Sequence, residues 1–307
     1  MSGREVGSED AEVRAFLVAD VASQARQMAA WGVAPAVLLI LTNACENRCF
    51  FCANAGTTAV PPERFTRWED IAARLRARPE GVTRLFIGGN EPMLHPRFGD
   101  ALVLAKASGF TSIELMTSGM QLADASARAA VLDAGLADVA VPIYAAEAGL
   151  HDAICQTACW DRLAEGLDAV RAAGVRVWVH TLALRRNRDA LAPLADLVRD
   201  RWGGALAIAP VREKAGLFGW REEALSLSEM GMLCQGLPPD VTLVGWPSCL
   251  DRGRPRGSAS VMDLYFRTQL RTFAPACDGC LDRPTCPGVV DAQLRQFGAA
   301  GLVPRSQ

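Results

Sequence analysis

The residues best suited to chemistry are cysteines, and they fall into two groups. The segment Thr42-Asn43-Ala44-Cys45-Glu46-Asn47-Arg48-Cys49-Phe50-Phe51-Cys52 spaces three of them as C-x3-C-x2-C. Thiolates are soft ligands that suit iron and zinc alike. Three on one short loop can each hold one iron of a [4Fe–4S] cube, which leaves the fourth iron open to a chelating ligand. A closed structural zinc site requires a fourth protein ligand, and the segment offers none nearby, so the spacing points to the cube. Simple burial is the blander alternative, because free cysteine packs well in cores.

The second group, Cys277-Asp278-Gly279-Cys280 followed by Cys286, has the spacing C-x2-C-x5-C, with Cys249 upstream. Four thiolates are enough to close a site, and spacing alone leaves zinc and iron–sulfur both open. Cys155, Cys159 and Cys234 lie between the two groups. An interval of four puts Cys155 and Cys159 on one helical face, which predicts a buried stripe. Ten cysteines in a chain whose start does not read as an export signal favour metal or redox chemistry over a disulfide framework.

These groups must be held by the elements around them. Apolar runs that read as buried parallel strands occur at Ala36–Thr42, Arg84–Gly88, Ser112–Thr117, Val139–Tyr144, Val175–Leu182 and Ala205–Pro210. Between them lie stretches of helical period at Trp68–Arg78, Arg97–Ser108, Leu122–Ala134, Cys159–Ala173 and Asp189–Trp202. Gly109, Gly135 and Gly174 each follow a helix, where a left-handed cap suits glycine, and Asp124 or Ser126 can cap a helix start. Six βα units therefore predict an α/β fold, either an open doubly wound sheet or a barrel, with its chemistry at the carboxyl ends of the strands. The first cysteine loop follows the first strand. Gly88-Gly89-Asn90-Glu91-Pro92 follows the second, where glycines permit close backbone approach and Glu91 can accept hydrogen bonds from an ammonium.

The expected organisation is an N-terminal helical extension over 1–35, a barrel over 36–215, and a cysteine-rich region over 216–307 with a helix at Val261–Phe273. Its prolines, glycines and clustered cysteines predict a module stapled by metal. The 32 Lys and Arg against 34 Asp and Glu give no electrostatic reason to expect nucleic acid or an anionic membrane as partner. Charges within Ala11–Trp31 speak against a signal peptide or membrane span, so a cytoplasmic location is expected.

The C-x3-C-x2-C loop, with Phe51 before its last cysteine, and the Gly88–Pro92 segment together resemble the radical S-adenosylmethionine (SAM) superfamily over about Ala36–Pro210. That resemblance implies a partial (β/α)6 TIM-type barrel and a [4Fe–4S] cluster that binds SAM. It also implies reductive cleavage to a 5′-deoxyadenosyl radical, with a flavodoxin or ferredoxin as electron donor. The residues it places near SAM are Phe51, Gly88, Gly89, Glu91, Pro92, Ser118, Tyr144 and Asn187. Ser118, within Thr117-Ser118-Gly119, and Pro142 depart from the family pattern.

The C-terminal cysteines resemble SPASM or twitch extensions. This implies one auxiliary [4Fe–4S] cluster on Cys249, Cys277, Cys280 and Cys286, with zinc as the alternative occupant. The activity implied is modification of a peptide, aided by a separate leader-peptide-binding protein. The alternatives are dehydrogenation or epimerisation of a small polyol or amino sugar, and a non-catalytic iron–sulfur or zinc protein. Cys155, Cys159 and Cys234 are the candidates for a thiol that returns hydrogen to a substrate radical. His151 and Asp152 fall near the substrate region or take a capping or surface role, His180 can face the barrel interior, and Arg212 and Lys214 can contact SAM or an acidic substrate or stand as exposed loop charges.

Overall fold

The structure is a computed structural model that describes residues 20–30, 33–52, 64–213, 219–251, 253–254 and 271–305. Most of the extension before Asp20, Lys214, and the expected helix as far as residue 270 lie outside the described residues. The last residues of that expected helix, Arg271–Thr272, form a strand instead.

Seven strands make one parallel sheet: β1 (Val37–Ile40), β2 (Arg84–Gly88), β3 (Ser112–Met116), β4 (Leu136–Pro142), β5 (Arg176–Ala183), β6 (Ala205–Pro210) and β7 (Thr242–Leu243). Their order in space is their order in sequence, with no pairing of β7 to β1 among the described residues. Sequential order decides between the two architectures left open by the sequence. Each right-handed crossover steps the same way, so every helix falls on the same face, as in a barrel; a doubly wound sheet reverses at a switch point.

The packing agrees. The helices in question are α1 (Val21–Ala30), α2 (Trp68–Arg76), α3 (Phe98–Ala107), α4 (Ala125–Asp133), α5 (Ala148–Cys155), α6 (Trp160–Ala172), α7 (Leu191–Trp202), α8 (Leu227–Gly236) and α9 (Asp291–Phe297). Ile71, Ala105, Val131, Leu167, Val198 and Met230, one from each of α2, α3, α4, α6, α7 and α8, share a single core with Leu39, Ile87, Leu115, Val141, Val179 and Ile208. Removing a side chain such as Leu115 there costs about 2–5 kcal/mol, by loss of transfer energy plus a cavity.

Strand residues alternate faces, and the helix-free face carries Leu38, Phe86, Glu114, Asp138, Trp178, His180, Ala207 and Ala209. Register aligns Leu38 with Phe86, Phe86 with Glu114, and Glu114 with Asp138 into one layer near the strand starts. Met28 of α1 packs there against Leu38 and Phe86, covering that end. Beside it, Arg176 bonds Asp138 through two contacts of 2.7 Å, and Trp178 Nε1 donates to Asp138 at 3.1 Å. Burial pushes the Asp138 carboxyl up, but these donors outweigh it and hold the group below its ordinary value. The layer thus closes the amino-terminal end of the sheet and leaves the carboxyl-terminal end for chemistry.

Some elements differ from expectation. The helix expected at Leu122–Ala134 is broken into a 3₁₀ turn (Met120–Ala123) and α4, because the Asp124 side chain accepts from Ala127 N and caps a new start. Helices α5 and α8 and strand β7 carry too little periodic sequence to be read in advance. Residues 227–243, beyond the expected barrel limit at 215, contribute Leu227, Met230, Cys234 and Leu243 to the main core. The C-terminal region adds an antiparallel pair, β8 (Arg271–Thr272) with β9 (Val289–Val290), followed by α9.

Candidate active site

The first cysteine loop leaves β1 and is fastened by the end of β2. Asn90 N donates to Thr42 O at 3.0 Å and Glu91 N to Ala44 O at 2.8 Å. Gly89 makes this approach possible: its φ is +125°, and a Cβ there would lie 2.4 Å from Thr42 O. The glycine thus admits the cysteine loop itself, a use that its position after a strand did not distinguish from admitting a ligand. Pro92 is buried and opens a 3₁₀ turn that continues the segment to Leu94.

Glu91 takes part in the packing of the strand ends. It is fully buried, and its carboxylate accepts from Thr117 Oγ1 at 2.7 Å, Ser118 N at 2.6 Å and Met93 N at 3.0 Å. These contacts tie β2 to the turn after β3. Burial, with nearby Glu46 next, raises its pKa to about 7 against the pull of the Ser118 and Thr117 donors.

The unpaired acceptors lie one loop away. Glu46 Oε2 and Asn47 Oδ1 are buried without a hydrogen-bond partner, while Glu46 Oε1 accepts from Ser118 Oγ at 3.0 Å. Neither residue stands out in the sequence, where both fall among the variable positions of the cysteine spacing. A buried acceptor without a partner is costly and marks a place for a donor. The Cys45 thiol is pushed up by burial, with Glu46, Glu91 and Cys49 adding to the effect. Such crowding disfavours a bare thiolate and suits a bound cation. The donor set therefore fits an iron–sulfur cluster together with a ligand that carries N–H groups.

Aromatic residues wall this region. Phe51 meets Tyr144 edge-on at 5.4 Å, and Tyr144 stacks on His151 at 5.8 Å. Burial, followed by the thiols of Cys49, Cys155, Cys52 and Cys45, raises the Tyr144 phenol well above its ordinary range; Cys49 and Cys155 share its buried cluster, and Cys52 packs against it. Asn187 is fully buried: Nδ2 donates to Tyr144 O and Leu182 O at 2.9 and 3.0 Å, and Oδ1 accepts from Leu184 N at 2.9 Å. It joins the ends of β4 and β5. On the helix-free face His180 has an unpartnered, buried Nδ1, and burial lowers its pKa to about 4.

Cys155 and Cys159 do not share a helical face. Cys155 ends α5, Gln156 turns the chain at φ 49°, and Cys159 is the N-cap of α6. The turn nevertheless brings both sulfurs to His151 Nε2, at 3.4 and 3.3 Å. His151 is buried rather than at the surface, and Asp152 caps α6, its Oδ1 accepting from Cys159 N and Trp160 N at 3.1 and 3.0 Å. Cys234 lies elsewhere, on α8 in the main core.

Cys249, Cys277, Cys280 and Cys286 line one cavity in the C-terminal region, with Phe273, Val289 and Leu302. Ser248 N and Gly288 N both point at Cys286 Sγ, at 3.3 and 3.4 Å. Burial raises the Cys249 thiol, opposed by a backbone donor from Val303, and Cys286 and Cys277 lie close enough to raise it further. N–H donors aimed at sulfur favour thiolate ligands.

Comparison with known proteins adds the following. The Radical SAM superfamily matches residues 39–198. GTP 3′,8-cyclase of Agrobacterium fabrum is 27% identical over 277 residues, 85% of this chain and 76% of that protein. PqqA peptide cyclase of Streptomyces rochei is 28% identical over 190 residues, 61% of this chain and 50% of that protein. Among solved structures, Streptococcus suis SuiB superposes with a TM-score of 0.52 at 15% identity, covering 68% of this chain and 48% of SuiB, a likeness of fold. The chain spans about half the length of most curated relatives it matches. No helix among the described residues is long and apolar enough to cross a membrane.

Proposed function

Since the chain belongs to the radical SAM superfamily, we propose that it modifies a peptide by radical chemistry at the carboxyl ends of β1–β6. Cys45, Cys49 and Cys52 hold the [4Fe–4S] cluster in this reading, and Glu46 and Asn47 receive the amino group of SAM. When bound, cluster and SAM together supply a 5′-deoxyadenosyl radical that takes a hydrogen atom from the substrate. The chain's own work is positioning and exclusion of water. Glu91 and Gly89 fix the loop against β2 and β3, Asn187 fixes β4 against β5, and Phe51 and Tyr144 keep solvent from the sulfurs. His180 presents a ring nitrogen from the helix-free face to the substrate.

The observation that carries this reading is the packing of Cys49 and Cys52 of the loop in one cluster with Phe51 and Tyr144, beside two buried acceptors that lack partners. The likeness to PqqA peptide cyclase supports a peptide substrate, and among the solved structures SuiB is seen bound to a precursor peptide. In the C-terminal region we assign one auxiliary [4Fe–4S] cluster to Cys249, Cys277, Cys280 and Cys286, reduced through a flavodoxin or ferredoxin in a cytoplasmic setting. A leader-peptide-binding partner completes recognition.

A second reading rests on the GTP 3′,8-cyclase likeness, which extends over 85% of the chain and favours a small nucleotide substrate. The two separate in one experiment. Anaerobically reconstituted protein, reductant and SAM are incubated with GTP or with short peptides encoded beside this gene, and products are read by mass spectrometry. A mass change in a peptide, with 5′-deoxyadenosine formed in step, supports the first reading; consumption of GTP alone replaces it with the second.

A further inference from the structure

His151, Cys155 and Cys159 form a cluster that neither cysteine loop includes. All three are buried, at 1%, 0% and 2% exposure. Among the described residues this is the one group of three whose candidate ligand atoms all lie within 4.8 Å of one another. Such a convergence first suggests a metal ion.

The histidine argues otherwise. Its Nδ1 accepts the backbone N–H of Tyr144 at 3.2 Å, so a neutral ring carries its proton on Nε2. That nitrogen is the one aimed at both sulfurs, at 3.4 and 3.3 Å. A nitrogen bearing a proton has no lone pair for a metal. The ring is also held in place, stacked on Tyr144 at 5.8 Å and edge-on to Trp160 at 5.4 Å. His151 is thus arranged as a hydrogen-bond donor to sulfur, and the two sulfurs are each other's neighbours.

The backbone that joins them is shaped for this approach. Gln156 adopts φ 49° in the left-handed region, which is uncommon for a residue with a side chain, and it reverses the chain so that Cys159 returns toward Cys155. Cys159 Sγ also lies 3.6 Å from Asp152 Oδ1, a short way for its proton to leave. Arg48 N donates to Cys155 O at 2.9 Å, so the pair sits one hydrogen bond from the Cys45–Cys52 loop.

We propose that Cys155 and Cys159 form a redox-active dithiol, oriented by His151, which a peroxide converts to an intramolecular disulfide. Cys159 sulfur attacks one peroxide oxygen: the O–O bond breaks, an S–O bond forms, and the departing oxygen leaves as water with the Cys159 proton. Cys155 sulfur then displaces the remaining hydroxyl. The S–S bond forms, the S–O bond breaks, and a second water carries off the Cys155 proton. The sulfurs lose two electrons and the peroxide gains them. A dithiol reductant reverses the change.

The test uses the reconstituted full chain, exposed anaerobically to hydrogen peroxide, then alkylated and digested with trypsin without reduction. Residues 129–162 form one tryptic peptide whose only cysteines are Cys155 and Cys159. The expected result is that this peptide escapes alkylation and is lighter by two hydrogen atoms, a change that dithiothreitol removes. His151→Phe, which keeps a ring but removes the donor, should slow its formation about tenfold, as expected for loss of a hydrogen bond to sulfur. Three outcomes overturn the proposal: both cysteines alkylated after peroxide, a Cys49–Cys155 cross-link instead, or zinc that stays bound through purification and is lost in Cys155→Ser and Cys159→Ser. The first two are read on the unaltered chain, so a variant that fails to fold leaves the question decided.

Discussion

The two cysteine-rich regions hold sulfur in different ways. The Cys45–Cys52 loop is positioned by backbone bonds from a neighbouring strand end, with Asn90 N and Glu91 N reaching Thr42 O and Ala44 O. Three thiols there adjoin two buried acceptors with nothing to accept. Around the C-terminal cavity the backbone donates to sulfur itself, at Cys286 from Ser248 and Gly288, and four cysteines line the wall. In the function proposed above, the first arrangement keeps ligand capacity open for SAM, and the second would hold a complete set of four thiolates. An open site suits chemistry on a bound molecule, whereas a closed one suits structure or electron transfer.

The largest predicted effects separate the two regions. Cys45→Ala, Cys49→Ala or Cys52→Ala should abolish 5′-deoxyadenosine formation and remove about four irons per chain. Cys280→Ala should remove a similar amount of iron and leave the SAM-responsive centre in place. Iron and sulfide analysis with product chromatography checks both; equal loss of SAM response in the two classes would erase the distinction.

Next comes the support of the open site. Gly89→Ala places a Cβ 2.4 Å from Thr42 O at a backbone angle that alanine tolerates poorly. It should cost about 3 kcal/mol or more, read as a lowered midpoint in urea, with poorer cluster loading. Among the C-terminal glycines a Cβ on Gly279 would meet no atom within 4 Å. Its φ of +77° still disfavours a side chain, so Gly279→Ala should cost only about 1 kcal/mol.

A smaller effect follows from His180. Its pKa falls from 6.5 unfolded to about 4 folded because burial penalises the imidazolium. The unfolded chain therefore binds the proton first, so stability is fully present above pH 6.5 and declines as pH falls toward 4. Relative to His180→Gln, the unaltered protein should lose up to about 3 kcal/mol across that window, measured by denaturant titration at several pH values. A flat difference would mean that the imidazolium is hydrated or meets an acceptor in the folded chain.

The smallest effect is expected at the edge of the barrel. Glu229 is held down to about 2, first by Arg185, against burial, and then by Ser226. A depressed carboxylate contributes stability above its ordinary value of 4.5, and this is lost as pH falls toward 2. Because Arg185 is 39% exposed, solvent screening limits Glu229→Gln to a cost of about 1 kcal/mol near neutral pH.

Much of the fold is legible because parallel strands buried on both faces appear as apolar runs, and all six that were expected are present. Strand β7 is only two residues long and is made by pairing with β6, so it leaves no local pattern. In the site, the cysteine spacing and the glycine pair are legible because few other residues satisfy those geometries. Glu91 and Asn187 mark where that legibility stops. Both are polar residues at strand ends, where sequence cannot separate a group that faces a ligand from one that pins two strands together. The pinning contacts, to Thr117 and Ser118 in one case and to Tyr144 and Leu182 in the other, are visible only in three dimensions. Cys155 and Cys159 show a related limit: helical spacing suggested one face, but Gln156 breaks the helix between them.

The most direct test of an open site paired with a closed one is electron paramagnetic resonance of the dithionite-reduced, anaerobically reconstituted chain, with and without SAM. The account predicts two cluster signals, of which SAM shifts only the one lost in Cys45→Ala. A spectrum that SAM leaves unchanged, or one in which SAM shifts the signal lost in Cys280→Ala, would contradict it.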